Sequence, residues 1–345
     1  MPSVKHKGRE LAPHKASVNQ IIGSRTVLTK SPWTFVALWL KREKKDEAAF
    51  YWEQAREFHR VSEGLPQQSA PLLLYYCYMN AVKALLSARG VPFIERHGVG
   101  GYSRATPNQR KSISTEGVRI LGAGILPSLS SYYQEPEPSR THTLQEIFFN
   151  LPFIHRTYCL SYPRQVQMFM PMVEPKYAFD PVAHRAFLRF RMSKDHQSQH
   201  TINRLGPVFV PDAAQPGYLR SVDDVAVTSA GRPNAPDLAS IAALRRALSW
   251  DLFYINGAAT LWYAKAVTAG PARIARQVPT LVLAAMHHLS ELCRYRPLQL
   301  ASHLDGKYNW LLSEFIQMSP SQFIDEIAAE LTGHEFQAPN VRSPN

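Results

Sequence analysis

The sequence predicts a mainly α protein with a small antiparallel β insert, an α+β class in which N- and C-terminal helices form one bundle. Three observations predict it. Apolar residues recur at helical spacing through 31–89 and again through 237–332. Between them, 155–230 turns to alternating or β-rich runs separated by proline and glycine. Three separate small cores would each be marginal, so the flanking helices are expected to share one.

Taken in order, residues 1–30 are polar and basic and are expected to be loosely ordered. Ser31-Pro32 opens a helix, serine as N-cap and proline at the first position, with Trp33, Val36, Ala37 and Leu40 at helical spacing. Residues 46–61 form an amphipathic helix. Residues 70–89 form a second, apolar all round in its first half and therefore central. The short loop 64–69 makes the two an antiparallel hairpin. From 90 to 139 glycines mark turns and Pro136 and Pro138 a linker, completing a 31–150 region of helical hairpin plus Gly-rich basic loop. A short helix is expected over 143–151.

The β-rich insert spans 151–236, with strands in 165–170, 185–192 and 207–210, and a polar connection over 222–236. A C-terminal helical bundle spans 237–333. Asp237 caps a long helix carrying Ile241, Leu244, Leu248, Leu252, Ile255, Ala259 and Trp262 on one face, ended by Gly270-Pro271. Further helices run from 280 to Arg296-Pro297 and from 307 to 318. Ser319-Pro-Ser-Gln322 reads as a capping box opening the last helix, which Gly333 stops. The tail, 334–345, is expected to be disordered.

The chain has 345 residues, 45% hydrophobic and 11% aromatic, enough for a sizeable core and unlike a disordered, collagen-like or coiled-coil chain. No apolar run reaches the roughly 18–20 residues that span a bilayer; the greasiest, 70–86, is interrupted by Asn80 and Lys83. The basic start lacks an apolar h-region, so a cytoplasmic protein with no membrane partner is expected. Cys77, Cys159 and Cys293 are scattered among apolar neighbours without a CxxC pair, which supports neither a disulfide framework nor a cysteine zinc site. Lys and Arg number 39 against 27 Asp and Glu, a net +12. Such a balance speaks of partners: nucleic acid, RNA or DNA, or an acidic protein surface.

Tyr51-Trp-Glu-Gln-Ala55, Phe58, Pro71-Leu-Leu-Leu-Tyr-Tyr76, Asn80, Lys83-Ala84-Leu85 and His97-Gly98 together resemble the YaaC-like family, as does Leu292-Cys-Arg-Tyr-Arg-Pro297 with Trp310 downstream. The family is bacterial, and the resemblance brings no established activity with it. It marks Tyr76, Asn80, Lys83, His97, Gly98, Arg294 and Tyr295 as pocket candidates. The hairpin with its double tyrosine also resembles HEPN-type helical domains, which implies one HEPN-like bundle and a setting in antiviral defence or nucleic-acid processing. HEPN ribonucleases carry an arginine, four to six residues, then a histidine. Arg296 and His303 fit that spacing, although Pro297 stands where the motif has a polar residue. Arg191 and His196 fit it in a strand-like stretch.

Residue types add further candidates. As a strand, 185–192 points Arg185, Phe187, Arg189 and Arg191 to one side and Ala186, Leu188, Phe190 and Met192 to the core. With Lys194, His196, His200 and Arg204 these arginines form the nucleic-acid-binding candidate, suited to phosphates and to stacking on a base. Tyr76, Asn80 and Lys83 share a helix face that suits a phosphate or carboxylate, or a structural contact. Arg89, Arg96, Arg104, Arg110, Lys111 and Arg119 make a basic loop. His196-Gln-Ser-Gln-His200 lacks the glutamate of HExxH, and no GxxxxGK[ST], GxSxG or dinucleotide fingerprint occurs. No metal or cofactor is expected. The expected function is a non-catalytic nucleic-acid-binding or accessory subunit. The alternatives are a metal-independent ribonuclease using Arg296 and His303, and a protein-interaction subunit docking an acidic partner.

Overall fold

A computed structural model describes residues 1–106, 108–109, 111–267 and 273–338. Gly270-Pro271, Arg110 and the end of the tail, 339–345, lie outside the described residues.

Two short strands, β1 (Lys5–His6) and β2 (Arg9–Glu10), form a hairpin, and β3 (Val27–Leu28) follows. Helices α1 (Pro32–Arg42), α2 (Asp46–Ser62) and α3 (Ala70–Ala88) come next. Ser31 caps α1 as expected, its hydroxyl accepting from Trp33 N at 3.3 Å. Then follow β4 (Val99–Ser103), β5 (Glu116–Ile120), α4 (Ile125–Tyr132), β6 (Thr141–Thr143), α5 (Leu144–Phe149) and α6 (His155–Ser161). Thr143 and Glu146 close a capping box on α5. The middle holds β7 (Phe169–Asp180), β8 (Arg185–Met192), α7 (Gln199–Asn203), β9 (Phe209–Pro211), β10 (Leu219–Ser221) and β11 (Val225–Ala226). Then come α8 (Ala235–Ala247), β12 (Leu252–Ile255), β13 (Leu261–Lys265), α9 (Val278–Tyr295), α10 (Pro297–Leu304), α11 (Asn309–Thr332) and β14 (Phe336–Gln337).

The chain divides into two compact units. Unit 1 comprises Met1–Lys30, Gln167–Thr268 and Gly333–Asn345. Its centre is a seven-stranded sheet in the order β12-β13-β7-β8-β10-β9, with β11 also on β8 and every pairing antiparallel. One face, including Tyr177, Leu188 and Phe190, packs with Ile241, Leu244 and Leu248 from the helical stretch and with Val4, Leu11 and Ile22 from the start of the chain. Unit 2 comprises Ser31–Val166 and Ala269–Thr332. There α3 packs against α2, α9 and α11. Tyr78 stacks on Phe323 at 4.3 Å and its hydroxyl meets Ser319 Oγ at 2.8 Å. The small sheet β4-β5-β6 lies against α9.

This architecture corrects the predicted fold class. The protein is mixed, with a large antiparallel sheet, and is not a mainly helical bundle with a small insert. The long helix expected over 237–269 is α8 followed by the β12-β13 hairpin. Its apolar residues beyond Leu248 matched helical spacing by coincidence. Asn256-Gly257 between two aromatic-rich runs is the hairpin signal that competed with that reading. Asn234, not Asp237, caps α8; Asp237 completes the box from the third position. Residues 1–30 are tied down: Val4 N donates to Tyr177 O at 2.8 Å and its side chain is fully buried. Ser319-Pro320 does not open a helix, because α11 runs through it. The buried stripe of Phe315, Phe323, Ile324 and Ile327 outweighs the one hydrogen bond that proline removes. In the tail, Phe336–Gln337 pairs parallel with β3, so its beginning is ordered.

Candidate functional site

On β8 the expected alternation holds: Ala186, Leu188, Phe190 and Met192 enter the core. The other face is itself partly occupied. Phe187 is fully buried beneath the Arg220 guanidinium, 3.9 Å from its ring centroid, so its ring offers no open face. Arg189 is buried too, donating to Met1 O at 3.2 Å and lying over Tyr218. Arg185 pairs with Asp224 at 2.5 Å and Arg191 with Glu174 at 3.0 Å, both partly exposed. The more exposed Arg191–Glu174 pair is worth under about 1 kcal/mol, so a phosphate can compete for Arg191; Arg185 is held more firmly, Nε also donating to Asp224 Oδ1 and Nη2 to Asp224 O. Lys194 is exposed, whereas Arg204 hydrogen-bonds Gln167 O. His196 uses both ring nitrogens, on Ser193 Oγ and Gln167 Oε1. The β1-β2 hairpin hydrogen-bonds β7 through Val4 and Leu11, and its Lys5, Lys7 and Arg9 stand exposed.

In unit 2, Arg296 and His303 do come together, but around a third residue. Arg296 begins α10 at the sharp corner after α9, and His303 follows on α10. Both reach Glu116 at the start of β5, whose side chain is 2% exposed. Arg296 Nη1 donates to Glu116 Oε1 at 2.6 Å and Gln299 Nε2 donates to Oε2. His303 Nε2 stands 3.7 Å from Oε2 and 3.2 Å from Gln299 Nε2. Burial alone pushes the Glu116 carboxyl up, but His303 and Arg296 overcome it and hold the group at about 2. The adjacent His288 is buried and lowered to about 4, chiefly by burial.

The family-motif residues separate. Tyr76 stacks on Phe58, Asn80 folds its amide back to Tyr76 O, and Lys83 pairs with Glu95 at 3.4 Å over the Tyr51 ring. It is Tyr75, one residue earlier, that reaches His97, Oη to Nδ1 at 2.6 Å. His287 lies edge-on to Tyr75 at 5.1 Å and 5.6 Å from His97. Burial lowers His97, assisted by the charges of Arg294 and Lys83, and it lowers His287 to about 3. Arg294 and Tyr295 are exposed at the end of α9, the guanidinium 5.0 Å from the tyrosine ring centroid. Gly98 serves the backbone. At φ +72° it lets Leu121 N reach Gly98 O at 2.9 Å, and a Cβ there would stand 2.3 Å from Pro127 Cδ. In the basic loop, Arg89 is spent on the carbonyls of Glu330 and Leu331, Arg104 on Glu146 and Lys111 on Glu116, while Arg96 and Arg119 are exposed.

A YaaC-like Protein family model matches residues 21–331. The chain belongs to the YaaC-like family. The match takes in unit 2 almost entirely and the sheet of unit 1. No curated protein and no solved structure matches this YaaC-like chain significantly. Among the described residues no group of three or more His, Cys, Asp or Glu is placed to hold a metal ion, and no helix is long and apolar enough to cross a membrane. Neither Glu116 nor Gln299 stands in a motif that marks it as a site residue in the sequence. In Glu-Gly-Val-Arg-Ile, Glu116 shares strand parity with the apolar Val118 and Ile120, the one local hint that it faces inward.

Proposed function

We propose that this YaaC-like protein binds nucleic acid through unit 1 and works as an accessory subunit. One observation carries the reading: the positive charge is concentrated there. Unit 1 holds 18 Lys and Arg against 10 Asp and Glu, a net +8, while unit 2 holds 21 against 17, a net +4. The exposed lysines and arginine of the β1-β2 hairpin, with Arg185, Arg191 and Lys194, supply phosphate contacts without a buried, unpaired charge. Because Phe187 is covered, the mode is electrostatic and not base stacking.

Fluorescence anisotropy with labelled single-stranded RNA, single-stranded DNA and duplex DNA at several salt concentrations tests it. Binding is expected to weaken steeply with salt. Arg185→Ala with Arg191→Ala is expected to flatten the duplex slope by about 0.9 for each phosphate that is no longer neutralised. Absence of binding at low salt sinks the reading and leaves the charge to an acidic protein partner.

A ribonuclease reading has one observation in its favour, the convergence of Arg296 and His303. Against it, both are engaged with Glu116, which already supplies the anion that a scissile phosphate would be. A denaturing gel of the same RNA samples in metal-free buffer decides: intact RNA excludes it, and cleavage lost in His303→Ala would establish it.

A further inference from the structure

We propose that His97, Tyr75, His287, Glu291 and Arg294 of unit 2 form a binding site for a small oxyanion, the phosphate or carboxylate group of a low-molecular-weight ligand. The inference does not rest on nucleic-acid binding by unit 1. The cluster is assembled from three elements: Tyr75 from α3, His97 from the approach to β4, and the others from α9.

The anchor is Arg294. It is exposed at the last turn of α9 and makes no hydrogen bond or ion pair with any described residue. Glu291, one turn earlier, does not take it up although the two are spaced for an i,i+3 pair. Instead the Glu291 carboxylate turns inward, with Oε2 3.8 Å from His287 Nδ1. A Cβ on Gly101 would stand 3.2 Å from that same Oε2, so the glycine is what admits the carboxylate beside β4. The guanidinium is thus left with its planar fork of donors open, the geometry that grips carboxylate and phosphate bidentately.

The neutral groups are arranged to assist it. With Tyr75 as donor to Nδ1, His97 carries its proton on Nε2, the nitrogen that the protein leaves for a ligand. The His287 ring braces both partners, and its Nδ1, in a residue 3% exposed, has no hydrogen-bond partner in the protein. That atom faces Glu291 Oε2 at 3.8 Å, beyond hydrogen-bond reach. The charges that bear on His97 are Arg294 and Lys83, both positive, with Lys83 also held by Glu95. Glu291 is the opposing charge; burial favours its neutral form and outweighs the opposite pull of Arg296 and Arg294. An arriving anion drives it further that way, so binding takes up protons and strengthens on acidification.

Histidine-ring NMR on the full chain tests the site, with inorganic phosphate and acetate titrated separately against a chloride control. The expected result is a saturable shift of the His97 ring and a rise of its pKa as the anion offsets Arg294 and Lys83. Whichever anion acts identifies the oxyanion as phosphate or carboxylate. Arg294→Gln is expected to abolish the response without changing Tm, and Glu291→Gln to tighten binding and weaken its pH dependence. No saturable shift with either anion, or a shift that survives Arg294→Gln, overturns the proposal.

Discussion

Glu116 has a nearly inaccessible carboxylate, and such a group is tolerable only when cations and donors surround it. Arg296, Gln299 and His303 meet that need, so its carboxyl sits at about 2 against the ordinary 4.5. The unfolded chain therefore binds the proton more readily than the folded one. The stabilisation is complete above about pH 4.5 and is lost as pH falls toward 2. The gap corresponds to about 3 kcal/mol at most. Glu116→Gln is expected to lower stability in urea at neutral pH by about 2–4 kcal/mol and to flatten that acid limb. An unchanged limb would refute the assignment. Arg276 and Glu135 form a second buried pair at 2.8 Å, which also engages Ser130 and Gln277. Removing one partner leaves a bare charge, so Glu135→Ala is expected to cost about 3–5 kcal/mol by chemical denaturation. Neither pair was legible in the sequence: Glu135 adjoins what reads as a proline linker, and its partner is far along the chain.

Elements were legible where local signals agreed with burial. Ser31-Pro32 is a cap whose hydroxyl points at the second helical N–H, and the helices α2 and α3 follow from their stripes. The box on α5 is equally local; Thr143→Ala is expected to cost about 1 kcal/mol. Gly98→Ala should cost clearly more, since it meets both a left-handed φ and Pro127, and the thermal midpoints of the two variants can be compared directly. The failures have a common cause. In 237–269, residues of a real helix and of a hairpin fell on one helical stripe, and periodicity cannot see that β13 finds β7 as a partner. In α11, a proline that locally announces a new helix is overridden by a continuous buried face.

At the scale of the molecule, buried histidines held neutral include, among the described residues, His14 and His287, at about 3, and His288, at about 4, each lowered first by burial. The unfolded chain protonates them near 6.5. Stability is therefore full above that pH and declines below it, by at most about 1.4 kcal/mol per pH unit for each group. The urea midpoint should drop between pH 7 and pH 5; a midpoint independent of pH over that range contradicts the burial of these rings. Unit 1 gathers three separate stretches of chain, with Val4, Leu11 and Ile22 in its core. Deleting residues 1–30 should then abolish the near-UV circular dichroism that Tyr177 and Trp262 contribute, not trim a loose end.

By itself the sequence determined what is local or summed: the net charge, the caps, the helices of the hairpin, the facing of β8 and the family motifs. Those depend on neighbours within a turn or on composition. Only the tertiary structure decided the seven-stranded sheet, the two discontinuous units, the Glu116 clasp and the Tyr75–His97–His287 cluster. Strand partners and buried charges are chosen by residues far away in sequence, where desolvation makes a partner obligatory and no spacing rule says which one it is.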